Sequence, residues 1–295
     1  MRLRRSGNLL ILAGAVALGH AQRPDFSFGV IADIQYADKD TAGAREYRKS
    51  IEKLEACVAA LRTEKPAFTI QLGDLIDEGL ANLDRILPVF NRIPAPRRHV
   101  LGNHDFCAAR DIVLKRLGLR SAYYQFSSRG WRFVVLDGME VSVAPESSQR
   151  ELGARLLAAL KASGAGNAQA WNGAVGPHQR EWLRKVLREA ASRRERAIVF
   201  CHFPALAESC RPEHLLWDHR EVVEILESER SAVAFMNGHD HRGGYAEKNG
   251  VHYLTFPGLV ESDAGRTCKV VDVYRDRLVV RSAGQADGQV LRIGR

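Results

Sequence analysis

Five short polar clusters interrupt the apolar runs of this chain: Asp33-Ile34-Gln35, Gly73-Asp74, Gly102-Asn103-His104-Asp105, Cys201-His202 and Gly238-His239-Asp240-His241. Together they offer carboxylate, amide oxygen and imidazole, the donor set that suits divalent first-row cations. Each has an ordinary structural reading when taken singly. An Asp after a strand caps a helix, and Gly-Asn-His-Asp makes a serviceable turn. Their joint occurrence means more, because every cluster falls where an apolar strand stops. Side chains at such positions converge on one edge of a sheet, and the glycines at 73, 102 and 238 let the backbone turn sharply and approach a ligand closely.

The elements that must position them follow from periodicity. Phe26 to Ala32, Phe68 to Leu72, Trp131 to Leu136, Ala197 to Phe200 and Ala232 to Met236 are short apolar runs that read as buried strands, and His99 to Leu101 ends another. Helical spacing of Ile51, Leu54, Val58 and Leu61 predicts a helix over Glu46 to Leu61, with further helices around Leu80 to Phe90 and Pro177 to Ala191. From Gly244 onward the pattern predicts antiparallel strands, with Val251 to Leu254 following a Lys248-Asn249-Gly250 turn and then Cys268 to Val273 and Arg277 to Val280. Alternation of strand and helix predicts a layered α/β fold with its site at the carboxyl ends of the strands. The stretch from Val141 to Val175 is the irregular part: it holds a helix and a loop ending at Trp171-Asn172-Gly173, and loops of that length tend to carry specificity.

At 295 residues the chain suits one domain, and 45% hydrophobic with 26% charged residues is an ordinary soluble composition. The formal charge of +8 suits an anionic substrate, although Arg2, Arg4 and Arg5 contribute to it from the first 21 residues. No basic run with interleaved aromatics follows, so nucleic acid is not an expected partner. The first 21 residues read as a signal peptide: a basic start, an apolar run from Leu9 to Leu18, and Gly19-His20-Ala21 as a cleavage site. Export to the periplasm or outside is therefore expected, with an N-terminal membrane anchor as the alternative; the apolar run is shorter than the roughly 20 residues a span needs. Residues 22–295 are left as the folded domain. Five scattered cysteines (Cys57, Cys107, Cys201, Cys210, Cys268) give no disulfide framework.

The clusters resemble the calcineurin-like metallophosphoesterase superfamily, whose pattern runs D-x-H, G-D, G-N-H-[DE], H and G-H-x-H. Gln35 in the first motif brings the chain nearer to the manganese-dependent ADP-ribose/CDP-alcohol diphosphatase branch, as do Gln71-Leu72-Gly73-Asp74, Phe106, Trp171-Asn172-Gly173 and Gly243-Gly244-Tyr245. This resemblance implies two mixed β-sheets packed face to face with helices outside. It implies one cation on Asp33, Gln35, Asp74 and His241, and a second on Asp74, Asn103, His202 and His239, with Asp74 shared. Such a pair activates a bridging hydroxide and clamps the phosphoryl oxygens of an in-line displacement. His104 is then the charge stabiliser or proton donor and Asp105 the carboxylate that orients it. The neutral amide of Gln35 favours manganese, with magnesium, zinc and iron as alternatives. Phe106, Trp171 and Trp217 are candidate substrate contacts, whereas His99, His178, His214, His219 and His252 match no ligand motif and read as packed or surface residues.

The function these expectations describe is hydrolysis of a nucleotide-type diphosphate, such as ADP-ribose or a CDP-alcohol, to a nucleoside monophosphate. Protein phosphatases of the superfamily carry Arg where this chain has Glu78, which repels phosphate, and purple acid phosphatases need a Tyr ligand where Asp77 stands. A cyclic nucleotide or other phosphodiesterase, or a phosphomonoesterase, would use the same metals. A non-catalytic metal-binding module is the reading from another class. No spacing fixes the oligomeric state.

Overall fold

The computed structural model describes residues 23–94 and 96–294. The predicted signal peptide, with His20, lies outside the described residues. A first run holds β1 (Phe26–Ile31), α1 (Ser50–Glu64), β2 (Thr69–Leu72), α2 (Asn82–Phe90), β3 (Arg97–Val100) and α3 (Arg110–Arg116). A second holds β4 (Tyr124–Ser128), β5 (Trp131–Val135), α4 (Arg150–Ala162), α5 (Pro177–Ser192), β6 (Arg196–Phe200), α6 (His219–Ser228) and β7 (Ala232–Asn237). The tail comprises β8 (Gly244–Lys248), β9 (Val251–Thr255), α7 (Ala264–Thr267), β10 (Lys269–Val273), β11 (Arg277–Ser282) and β12 (Gly288–Arg292).

Two mixed six-stranded sheets result, ordered β12-β11-β10-β1-β2-β3 and β4-β5-β6-β7-β9-β8. In the first, β1, β2 and β3 run parallel and β10 to β12 join as an antiparallel meander beside β1. In the second, β5, β6, β7 and β9 are parallel, with β4 and β8 antiparallel at the edges. Strand alternation divides the core. Phe26, Phe28 and Val30 of β1 meet Trp131, Phe133 and Val135 of β5 and Ile198 and Phe200 of β6 in a layer between the sheets. The intervening residues, Ile31, Val134, Ala197 and Val199, turn the other way against Leu54, Val58, Leu183, Val186 and Val222 of the covering helices. Phe133 is the hub of the inner layer, with ring centroids at 4.8 Å from Phe68, 5.1 Å from Phe126 and 5.7 Å from Phe28.

Two expectations need revision. The first helix begins at Ser50, its first full turn closed by Lys53 N–H on the carbonyl of Lys49 at 3.0 Å, while the Glu46 N–H is held by the carbonyl of Val260. The tail is antiparallel only in part. Asn249 and Gly250 (φ 50° and 76°) make the expected turn between β8 and β9, but β9 then pairs parallel with β7 while β10 to β12 cross to the other sheet. Edge strands β4 and β12 carry too few buried residues to announce themselves as apolar runs. Among the described residues no helix is long and apolar enough to cross a membrane.

Candidate metal centre

All seven candidate ligands and His104 follow the carboxyl ends of parallel strands: Asp33 and Gln35 after β1, Asp74 after β2, Asn103 and His104 after β3, His202 after β6, His239 and His241 after β7. Both sheets deliver these ends to the same edge of the sandwich. The connecting segments are tied to one another: Gln35 N–H bonds the carbonyl of Asp74 at 2.8 Å, Gly238 N–H that of His202 at 3.0 Å, and Val260 N–H that of Asp33 at 3.0 Å. Asp33, Gln35, Asp74 and His239 sit at φ of 49°, 42°, 55° and 68°, the left-handed region that non-glycine residues rarely occupy. Strain of this kind, about 1–3 kcal/mol each, persists where surrounding structure fixes it and concentrates at functional sites. Gly102 and Gly238 permit the closeness: a Cβ on the former would lie 2.1 Å from Asp74 Oδ1, and on the latter 2.3 Å from Asp33 Oδ2.

The donor atoms crowd together. One ligating atom each of Asp74, His202 and His239 falls within 4.8 Å of the others. His202 Nε2 is 3.2 Å from Asp74 Oδ2, His239 Nδ1 is 3.1 Å from His202 Nε2, and His241 Nε2 is 3.4 Å from Asp33 Oδ1. Every imidazole is oriented by its other nitrogen. His202 Nδ1 meets the carbonyl of Leu72 at 2.8 Å, His239 Nε2 meets Asn172 Oδ1 at 2.9 Å, and His241 Nδ1 meets Glu261 Oε1 at 2.8 Å. This is the outer arrangement that fixes tautomer and ring direction in metal-binding histidines. Burial opposes charge on His202 and His241, yet the carboxylates facing them (Asp74 and Asp33; Asp33 and Glu261) outweigh it and hold both imidazoles up at about 9. His239 is pushed well below its ordinary value, first by burial and then by His202.

Asp105 departs from its expected place. Its carboxylate accepts backbone N–H groups of Asp74 and Leu75 at 2.8 Å each and of Gly102 at 2.9 Å, so it clamps two of the site's loops together and does not hold His104. The residue on His104 is Asp77: Nδ1 lies 3.0 Å from its carbonyl oxygen and 3.1 Å from its carboxylate. The adjacency of His104 and Asp105 in sequence suggested the wrong partner, because neighbours at a tight turn point apart. Of the three candidate substrate contacts, Trp171 lines the site, 47% exposed. Trp217 is buried in a separate small core, its indole N–H on the carbonyl of Gln169, and Phe106 packs into the main core under the Arg110 guanidinium. Asp77, Asn172, Glu261, Arg45 and His214 join the site without having been read from sequence. Asn172 alone carried a signal, inside the Trp-Asn-Gly block.

The mouth is a cavity of about 360 Å³ lined by Gln35, Asp74, Asn103, His104, His239 and His241, with Arg45, Trp171 and His214 on its walls. Residues 26–243 match the calcineurin-like phosphoesterase family. The chain belongs to that family. It is thus a metallophosphoesterase, a hydrolase of phosphorus-containing bonds. Similar proteins include a manganese-dependent ADP-ribose/CDP-alcohol diphosphatase of Xenopus tropicalis, 29% identical with 92% of this chain and 95% of the relative covered. One of the same name from Arabidopsis thaliana is 32% identical, covering 88% and 94% respectively. A crystal structure of a dimetal phosphatase from Danio rerio superposes with a TM-score of 0.82 at 28% identity, covering 92% of this chain and all of that one.

A calcineurin-like phosphoesterase works with two divalent cations, and the residues present here fit such a pair. The carbonyl oxygens of Gln35 and Asn103 are buried without a hydrogen-bond partner. An orphaned buried acceptor is costly, and a cation is what relieves it. With Asp33, Asp74 and three oriented imidazoles, these amides form a mixed O/N donor set suited to first-row metals.

Proposed function

We propose that the protein hydrolyses the diphosphate of nucleotide-type substrates such as ADP-ribose or a CDP-alcohol, with manganese as its preferred metal. The observation that carries this reading is the pair of orphaned amide oxygens, Gln35 Oε1 and Asn103 Oδ1, set among carboxylates and oriented imidazoles. Asp33, Gln35, Asp74 and His241 would hold one cation, and Asp74, Asn103, His202 and His239 the other. Bound divalent cations supply an acidic water and neutralise phosphoryl charge. The neutral hard oxygen of Gln35, where the superfamily pattern has His, supports manganese, and so do the names of the relatives.

The protein's own groups do the rest. His104 sits at the cavity with its backbone N–H on Asp74 Oδ1 at 2.9 Å and its Nδ1 on Asp77, which leaves Nε2 toward the substrate. Asp77 holds Nδ1 of the ring, so that Nε2 can serve as proton donor to the leaving oxygen. Arg45 lines the same cavity with its Nε bonded to Glu261 at 3.2 Å, which places a guanidinium beside the phosphate. The cavity's volume of about 360 Å³ admits a diphosphate.

An assay of ADP-ribose, CDP-choline, a cyclic nucleotide and p-nitrophenyl phosphate, each with Mn²⁺, Mg²⁺ or EDTA, tests the reading. It predicts nucleoside monophosphate from the two diphosphates, fastest with Mn²⁺ and absent in EDTA. Faster turnover of the cyclic nucleotide or of p-nitrophenyl phosphate would replace it with a phosphodiesterase or monoesterase. The N-terminal reading adds export: mass spectrometry of the mature chain should find it starting at Gln22, and an intact Met1 terminus on soluble cytoplasmic protein contradicts that.

A further inference from the structure

Three buried polar atoms on the walls of the metal cavity lack a hydrogen-bond partner: Gln35 Oε1, Asn103 Oδ1 and His214 Nδ1. Two are acceptors, and cations answer them. The third is a donor. Arg211 fixes that assignment: its guanidinium can only donate, and its Nη2 lies 3.3 Å from His214 Nε2, which must therefore accept. The proton is left on Nδ1, whose nearest carboxylate oxygen, Glu213 Oε1, stands at 4.0 Å, beyond hydrogen-bonding range.

The ring's placement is braced from behind. Asp240 takes the Arg211 guanidinium at 3.0 and 2.7 Å through one oxygen, and the Arg211 backbone N–H at 2.8 Å through the other. Asp240 sits between His239 and His241, so the loop that carries both candidate ligands also sets the position of His214. The His214 ring packs edge-on to His239, centroids 5.1 Å apart. With its tautomer set by Arg211 and its Nδ1–H short of an acceptor, the imidazole is suited to bond an anionic oxygen.

We infer that His214 is a substrate-binding residue, whose Nδ1–H bonds a phosphate oxygen of the nucleotide seated in the cavity. This rests on the phosphohydrolase reading above and extends it to a residue that no motif marks. It places two non-ligand groups around the metal centre: Arg45 on the His241 and Glu261 side, and His214 on the His239 side.

The test compares wild type with His214→Phe, which keeps a ring and removes the donor, and His214→Gln, which restores an N–H. Each Mn²⁺-loaded protein is titrated with AMP by calorimetry, its metal content is measured, and its kcat and KM are taken on whichever phosphate ester or anhydride wild type turns over. The inference predicts two metals per chain throughout, AMP binding about tenfold weaker in His214→Phe, in line with a lost hydrogen bond to a charged group, and recovery in His214→Gln. The kinetic loss should fall mainly on KM. Unchanged AMP affinity in His214→Phe overturns the inference, and so does metal loss, which would make the imidazole a ligand. A wild type inactive on diphosphates but active on p-nitrophenyl phosphate would overturn the diphosphatase reading alone, because AMP binding still reports on His214.

Discussion

Asp74 is the residue on which the site depends, since its carboxylate faces His202 and Gln35 while also accepting the backbone N–H of His104. Asp74→Ala should remove bound metal and activity together, by well over about tenfold; a variant that keeps two metals and near-normal turnover excludes a shared ligand. Gln35→His should move the metal preference from manganese toward zinc or iron, read as rates after reconstitution with each metal, and an unchanged ranking would show that this position does not set selectivity. His104→Ala should keep both metals yet lose about 10²–10⁴ in turnover, most for poor leaving groups and least for p-nitrophenol. Asp77→Asn should give a milder loss with the same leaving-group trend, about tenfold, because it removes the carboxylate charge 3.1 Å from Nδ1 while the hydrogen bond to the Asp77 carbonyl remains. Equal losses across the series would make His104 a charge stabiliser only. At this scale the candidate ligands were legible because each occupies a motif at a strand end. Asp77, Glu261 and His214 were not, because what selects them is which atom of a ligand or neighbour needs a partner, and only packing decides that.

The elements that carry these residues are held by the layer between the sheets. Phe133 lies fully buried at its centre, so Phe133→Ala should cost about 3–5 kcal/mol, measured by denaturant unfolding. A loss below 1 kcal/mol would mean that the aromatic cluster does not support the sandwich. His99, at the end of β3 just ahead of Asn103, gives a pH signature. Burial chiefly, with the Arg97 and Arg98 cations adding, lowers its pKa from 6.5 to about 4. The unfolded chain therefore takes up a proton first as pH falls, so the stability due to neutral His99 is present above about 6.5 and is lost on the way down to about 4, a total of about 3 kcal/mol. His99→Leu should flatten the fall of metal-free stability across that window, and a slope equal to wild type would contradict the assignment. The central strands were legible as apolar runs. The edge strands were not, and neither was the parallel pairing of β9, because a short hydrophobic segment does not declare which neighbour it will adopt.

For the whole molecule, the decisive feature is that two separate sheets present the carboxyl ends of their parallel strands at one edge. The alternation of strand and helix predicted that the clusters would gather. It could not show that Asp33, Asp74 and Asn103 come from one sheet and His202, His239 and His241 from the other, which makes the metal centre also a tie between the sheets. A second consequence is that metal should stabilise the fold as well as activate it, by mass action on the native state. Addition of Mn²⁺ to metal-free protein should raise the melting temperature, and no rise would argue against a site built across both sheets. The most direct test of the account is anomalous diffraction at the manganese edge from crystals grown with Mn²⁺. Two peaks bracketing the Asp74 carboxylate, one beside Gln35 and His241 and the other beside Asn103, His202 and His239, are predicted. A single peak, or peaks away from Asp74, would contradict the two-metal centre.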